Sequence, residues 1–209
     1  MIAVVDYGLG NLGSVMRAFR RLGVPAVLSD DPAVLLAARG LVLPGDGAFA
    51  ATMAEIRDRR LPPVLAEAVA RGLPLLGICV GMQVLFEEGE EGGAHRGLGL
   101  LGGVVRRLRV APLPVPHMGW NALRLRRPHP LVAGTPDGAH VYFVHSYHCE
   151  AREEDVVATA EHGVEVVAVA ARGNVLGVQF HPEKSQAVGL ALVARFAGLC
   201  ASAVREEAS

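Results

Sequence analysis

Cys79 lies in Gly77-Ile78-Cys79-Val80-Gly81, directly after the apolar run Leu73-Pro74-Leu75-Leu76 and directly before a helix-like stretch. This is the sequence shape of a nucleophile elbow, in which small neighbours let a strand turn sharply into a helix and leave one reactive side chain at the turn. Backbone N–H groups there are free to hold an oxyanion, and the positive end of the helix favours a thiolate. A cysteine nucleophile also needs a base, and the base needs a group to orient it. Of the eight histidines, His181 is best placed. It ends the strand-like run 175–180, so its ring can project from the carboxyl edge of a sheet where Cys79 also sits. Glu183 follows two residues later. In an extended segment residues i and i+2 face one side, so Glu183 can reach the imidazole, with Pro182 stiffening the link. Singly, a cysteine is usually a small core hydrophobe and a histidine a hydrogen-bonded structural residue. The glycines around Cys79 and the coupled His-Pro-Glu shift the joint reading to a Cys79, His181, Glu183 triad.

Two glycine loops bear on the same site. Pro44-Gly45-Asp46-Gly47 follows the strand-like run 40–43, so its backbone N–H groups can serve the same oxyanion. Gly8, Gly10 and Gly13 meet the G-x-G-x-x-G spacing of a dinucleotide site, with Asp30 after the next strand. That rival reading leaves the Cys79 elbow and the His181–Glu183 pair unexplained.

The elements that must position these residues follow from periodicity. Strands are predicted near 2–5, 25–28, 40–43 and 73–78, and helices near 12–22, 32–38, 50–58, 62–71 and 80–87. Asp31-Pro32 is a helix start, a capping carboxylate before a proline at the first helical position. The glycine-rich segment 89–103 reads as a loop crossing to a more β-like half, with strands near 104–108, 122–125, 141–144, 156–160, 164–170 and 175–180. A closing helix spans 185–205, with Ser185 as its N-cap. The expected fold is α/β, one three-layer domain over residues 1–209. It has a mostly parallel central sheet, helices on both faces, and a smaller antiparallel β region in the second half.

Composition excludes several function classes. The 209 residues are 51% hydrophobic, yet no apolar run approaches the roughly 20 residues that span a bilayer. The start, Met1-Ile-Ala-Val-Val-Asp6, lacks a basic n-region and cleavage site and reads as a buried strand, so a cytoplasmic location is expected. A net charge of −1 and only short basic runs, such as Arg106-Arg107-Leu108-Arg109, argue against a nucleic-acid footprint. Cys79, Cys149 and Cys200 show no C-x-x-C spacing, which argues against a disulfide framework or zinc ribbon.

Gly77-Ile-Cys-Val-Gly-Met-Gln83 together with Phe180-His-Pro-Glu183 resembles the signature of class I, triad-type glutamine amidotransferases. Asp6-Tyr-Gly-Leu-Gly-Asn11, Pro116-His-Met-Gly-Trp-Asn121, Tyr142-Phe-Val-His-Ser-Tyr147 and His181-Pro-Glu-Lys-Ser-Gln186 resemble a narrower group, the glutaminase subunits of imidazole glycerol phosphate synthases. The resemblance runs from about residue 2 to the closing helix. It implies that Cys79 attacks the side-chain amide of glutamine, that Val80 with Gly45 and Gly47 supplies oxyanion donors, and that His181, oriented by Glu183, moves the protons. It implies that Gln83, Ser146 and Tyr147 grip the amino-acid end of the substrate. The implied partner is a (β/α)8-barrel cyclase subunit, forming a heterodimer in which ammonia is channelled to a ribonucleotide intermediate of histidine biosynthesis. Asn11, Trp120, Tyr142 and Lys184, the only lysine, fall in motifs that resemble the partner-facing side. No cofactor or metal is implied. In the family the oxyanion loop usually reads Pro-Gly-Val-Gly. Here residue 46 is aspartate, a carboxylate expected to point outward, since it would repel a developing oxyanion. Two rivals remain: the glutaminase of pyridoxal phosphate synthesis, and a thiol-based redox or chaperone-like protein, which would need no His181–Glu183 pair.

Overall fold

The structure, a computed structural model, describes residues 1–206; residues 207–209 of the expected domain lie outside the described residues. The first half alternates strands and helices: β1 (Ile2–Val5), α1 (Leu12–Arg21), β2 (Ala26–Ser29), α2 (Pro32–Leu36), β3 (Leu41–Leu43), α3 (Phe49–Asp58), α4 (Leu61–Ala70), β4 (Leu75–Ile78) and the one-turn α5 (Val80–Gln83). β1, β3 and β4 are buried along their whole length, as strands covered on both faces are. Asp31 caps α2, accepting from Ala33 N–H at 2.8 Å with Pro32 in the first turn. The second half is richer in strands: β5 (Glu88–Gly89), β6 (His95–Arg96), β7 (Gly103–Arg107), β8 (His117–Ala122), β9 (Arg124–Leu125), β10 (His140–His145), β11 (Tyr147–Ala151), β12 (Val156–Glu161), β13 (Glu165–Arg172) and β14 (Val175–Val178), closed by α6 (Gln186–Glu206).

The central sheet has eight strands in the order β2-β1-β3-β4-β14-β13-β12-β9, parallel from β2 to β14 and antiparallel from β14 to β9. Crossovers that run in opposite directions from β1 lay helices on opposite faces of the sheet. The contacts agree: α1 packs on α6, and α4 packs on α2 and α3. The smaller β region comprises an antiparallel ribbon, β10 with β8, and a four-stranded sheet ordered β11-β7-β5-β6. No helix among the described residues is long and apolar enough to cross a membrane.

Register positions the site. Gly177 lies opposite Gly77, Val178 opposite Ile78, and Leu43 opposite Gly77. Three segments therefore leave the same carboxyl edge side by side: residues 44–47 after β3, Cys79 after β4, and residues 179–184 after β14.

Several boundaries differ from the sequence reading. The helix predicted over 80–87 ends at Gln83, because Leu98, Leu100 and Leu101 N–H groups take the Val84 and Leu85 carbonyls that a longer helix would use. The predicted loop 89–103 holds the short strand β6. The run 122–125 divides at Leu123, which turns into the core, and β8 begins five residues earlier than predicted. Ser185 precedes α6 but its hydroxyl is not spent on the helix: it donates to His181 O at 2.7 Å and accepts from Tyr142 N–H at 2.9 Å.

Candidate active site

Cys79 has φ +54° and ψ −113°, in the left-handed half of the map that residues with a Cβ rarely enter. The surroundings hold it there. Its N–H donates to Val178 O at 2.8 Å, and its carbonyl accepts from Met82 and Gln83 N–H. A Cβ on Gly81 would overlap Leu43 O, and one on Gly45 would overlap Gly81 N, so the two loops meet backbone to backbone. Gly45 accordingly packs behind the elbow, while Gly47 lines the cavity in front of it. Val80 is the first residue of α5, so its N–H has no partner inside the helix and is available to a ligand. With only one turn behind it, the helix-end field expected at Cys79 is that of a single turn.

His181 donates from Nδ1 to Glu183 Oε1 at 2.8 Å, and both side chains are buried. The link differs from the extended one predicted: residues 182–184 form a 3-10 turn, which swings Glu183 back beneath the ring. Fixing the proton on Nδ1 leaves Nε2 to face the sulfur side, where it makes no hydrogen bond. Burial by itself lowers the His181 pKa, but the neighbouring Cys79 sulfur and Glu183 carboxylate outweigh it and raise it to about 10.

The Asp46 carboxylate does not point outward. Its Oδ1 lies 3.9 Å from His181 Nε2, and the residue lines the cavity with its side chain 43% exposed. Two features account for this. The loop is pinned, since Tyr7 OH donates to Pro44 O and Gly45 presses on Gly81, and a protonated His181 attracts the carboxylate.

The cavity in front of Cys79 measures about 310 Å³, within the range that takes a small metabolite. Val80, Gln83, Ser146 and Tyr147, all singled out from sequence, line it. Glu91 and His145, which were not singled out, line it as well. A larger hollow of about 770 Å³ is bounded by residues of the 125–135 segment and includes none of the chemistry-bearing groups. Gly8 and Gly10 belong to a loop packed on Arg59 and Gly45, Gly13 lies in the first turn of α1, and Asp30 lies 4.0 Å from Arg59.

The four residues assigned to a partner-facing side gather around the same edge. Tyr142 on β10 stands opposite Trp120 on β8, with ring centroids 6.1 Å apart, and Trp120 and Met118 are exposed. Tyr142 O accepts from His181 N–H, Lys184 N–H donates to His181 O, and α1, capped by Asn11, packs on the 182–184 turn. Sequence reasoning passed over Gln179, buried and donating to Cys79 Sγ at 3.7 Å. The available signal was a polar residue closing the apolar run Val175-Leu-Gly-Val, since a buried amide must find partners.

Residues 3–197 match the class I glutamine amidotransferase family. The chain is 51% identical over 199 residues to the imidazole glycerol phosphate synthase subunit HisH of Moorella thermoacetica, covering 95% of this chain and 94% of that protein. It is 53% identical over 205 residues to the HisH subunit of Geobacillus kaustophilus, covering 95% and 97%. In fold it is similar to a putative GMP synthase component of Thermoplasma acidophilum, with a TM-score of 0.76 at 22% identity over 100% of this chain and 97% of that one. With the match spanning nearly the whole chain, the protein belongs to the class I glutamine amidotransferases, in the group of the imidazole glycerol phosphate synthase HisH subunits.

Proposed function

We propose that Cys79, His181 and Glu183 carry out the glutaminase reaction of this subunit. The observation that supports it most is the β4–β14 register, which sets a cysteine with positive φ beside a buried His–Glu pair. The Cys79 sulfur attacks the side-chain amide carbon of glutamine. The carbonyl oxygen becomes an oxyanion held by Val80 N–H, with Gly47 on the facing loop. His181, protonated near neutral pH, gives its Nε2 proton to the departing ammonia, leaving a glutamyl thioester. Neutral His181 then takes a proton from water, the hydroxide attacks the thioester, and glutamate leaves as the sulfur is restored. Glu183 keeps the Nδ1 proton in place throughout.

At the amino-acid end, Gln83 uses its amide nitrogen on Tyr147 O and Gln179 Oε1. Its own oxygen is therefore what it offers to the substrate, an acceptor suited to the α-ammonium group, as is the nearby Glu91 carboxylate. Ser146 and Tyr147 line the same cavity beside Gln83.

The partner is a (β/α)8-barrel cyclase subunit, docked over Asn11, Trp120, Tyr142 and Lys184 to make a cytoplasmic heterodimer with lyase activity. Ammonia passes to it through an enclosed path, because in water it would be protonated and lost as a nucleophile. The chain alone is nearly inactive, which prevents waste of glutamine. The test is glutamate release by the chain alone and then with the cyclase subunit and its ribonucleotide ligand, with Cys79→Ala as control. Strong stimulation that vanishes in the variant is expected. Substantial turnover without the partner, or turnover surviving Cys79→Ala, overturns the reading.

A further inference from the structure

The buried polar side chains behind Cys79 form two runs of hydrogen bonds that meet at Tyr147 O, and that carbonyl sets the direction of both. Tyr147 O can only accept. It does so from Gln83 Nε2 at 2.9 Å and from His145 Nδ1 at 2.8 Å. The same Gln83 nitrogen donates to Gln179 Oε1 at 3.1 Å. Gln179 must then present its Nε2 to Cys79 Sγ, 3.7 Å away. In the other direction, His145 with its proton on Nδ1 offers Nε2 as an acceptor to His117 Nδ1 at 2.9 Å. His117 in turn accepts at Nε2 from Asn121 Nδ2 at 3.0 Å, and that nitrogen also donates to Glu161 O at 2.8 Å. The arrangement works only with both imidazoles neutral. Burial lowers the pKa of His117 to about 4 and of His145 to about 3, so both are neutral at physiological pH.

The sulfur thus lies between two groups of opposite character, Val144 O at 3.9 Å and the Gln179 amide N–H at 3.7 Å. A thiol donates to the carbonyl; a thiolate can only accept, and the Gln179 N–H is aimed at it. A buried amide with both ends engaged has no freedom to turn away.

We propose that Gln179 is a positioning residue that holds the Cys79 thiolate in its attacking orientation, that Gln83, fixed by Tyr147 O, keeps the Gln179 amide turned the right way, and that the Asn121–His117–His145 run holds Tyr147 O in place. The proposal rests on Cys79 being the glutaminase nucleophile. The distal end of that run lies on β8, the strand that exposes Met118 and Trp120.

The experiment combines two readouts. One is steady-state glutamine hydrolysis by the complex with the cyclase subunit. The other, which needs no turnover, is the rate of Cys79 alkylation by iodoacetamide as a function of pH. Gln179→Met keeps the volume and removes the donor, and Gln179→Leu is a second donor-free variant. Either is expected to lower kcat roughly tenfold with KM changed less than about twofold, as expected for loss of one hydrogen bond to a charged group. The alkylation midpoint is expected to rise by about one pH unit. His117→Phe retains the ring stacked against Phe143 and His162 and is expected to shift both readouts the same way by a smaller amount. Donor-free variants with the native profile and kcat overturn the role of Gln179. A native profile in His117→Phe beside a shifted Gln179→Met overturns the role of the Asn121–His117–His145 run. Hydrolysis that persists in Cys79→Ala instead refutes the nucleophile itself, so the two failures are separable.

Discussion

Asp46 brings a carboxylate to the cavity in front of Cys79, beside His181. Its carboxylate, 3.9 Å from His181 Nε2, has two effects on chemistry. In the proposed reaction it faces the nitrogen that would deliver a proton to ammonia, and it adds negative charge beside the place where the oxyanion would develop. Half-exposure tempers both effects. Asp46→Asn keeps the shape and removes the charge, and it is expected to raise glutamate release by the chain without its partner by roughly tenfold. An unchanged or slower rate in that variant, measured with the isolated chain, would show that the carboxylate does not restrain the site. The family resemblance marked Asp46 as a departure and led to the expectation of an outward carboxylate, opposite to the direction found. The direction depends on Gly45 lying against Gly81 and on Tyr7 tethering Pro44, a contact across 37 positions of the chain.

At the scale of elements, the elbow depends on three backbones in close contact. Gly81 has no space for a methyl group, because the obstructing atom is the Leu43 carbonyl of a central strand rather than a movable side-chain end. Gly81→Ala must therefore push β3 and α5 apart, and it is expected to cost about 2–4 kcal/mol of stability and nearly all glutaminase activity. Chemical denaturation beside an activity assay checks this; a variant with native stability and rate would contradict the packing argument. The strands and helices of the parallel half were readable because continuous apolar runs and capping residues such as Asp31 are local signals. β8 was partly missed because Pro116 and Gly119 mask its alternation, and it is defined by pairing with β10. The end of α5 was missed because the chain that ends it arrives from residues 98–101.

Across the whole molecule, two sets of histidines tie stability to pH with opposite signs. His117 and His145 have folded pKa values depressed to about 4 and about 3, against about 6.5 in an unfolded chain. Their contribution is present above about pH 6.5 and is lost as pH falls through the folded values, because the unfolded chain takes up protons first. His181 is raised to about 10, so its contribution is complete below about pH 6.5 and is lost as pH rises through 10. Between about pH 6 and 4 the His181 contribution is constant, and the neutral pair acts in the same direction as His129 and His148, whose pKa values burial also lowers. The urea midpoint is expected to fall across that window, and to fall less steeply in His117→Phe than in the native chain. Equal slopes would argue against a buried neutral pair.

Local sequence was enough to establish the fold class and the positions of the parallel strands, and to single out the residue types of the candidate site. An elbow of small residues, a His-Pro-Glu and an apolar strand period are each written within a few neighbouring positions. Packing in three dimensions was needed to set which way Asp46 points, where α5 stops, and that the runs through Gln83 and Gln179 and through two histidines meet at Tyr147 O. Those outcomes depend on strand register and on buried polar groups finding partners across gaps as long as 100 residues, as between Cys79 and Gln179. Burial obliges such groups to pair, but which partner each finds is fixed only when the chain is packed.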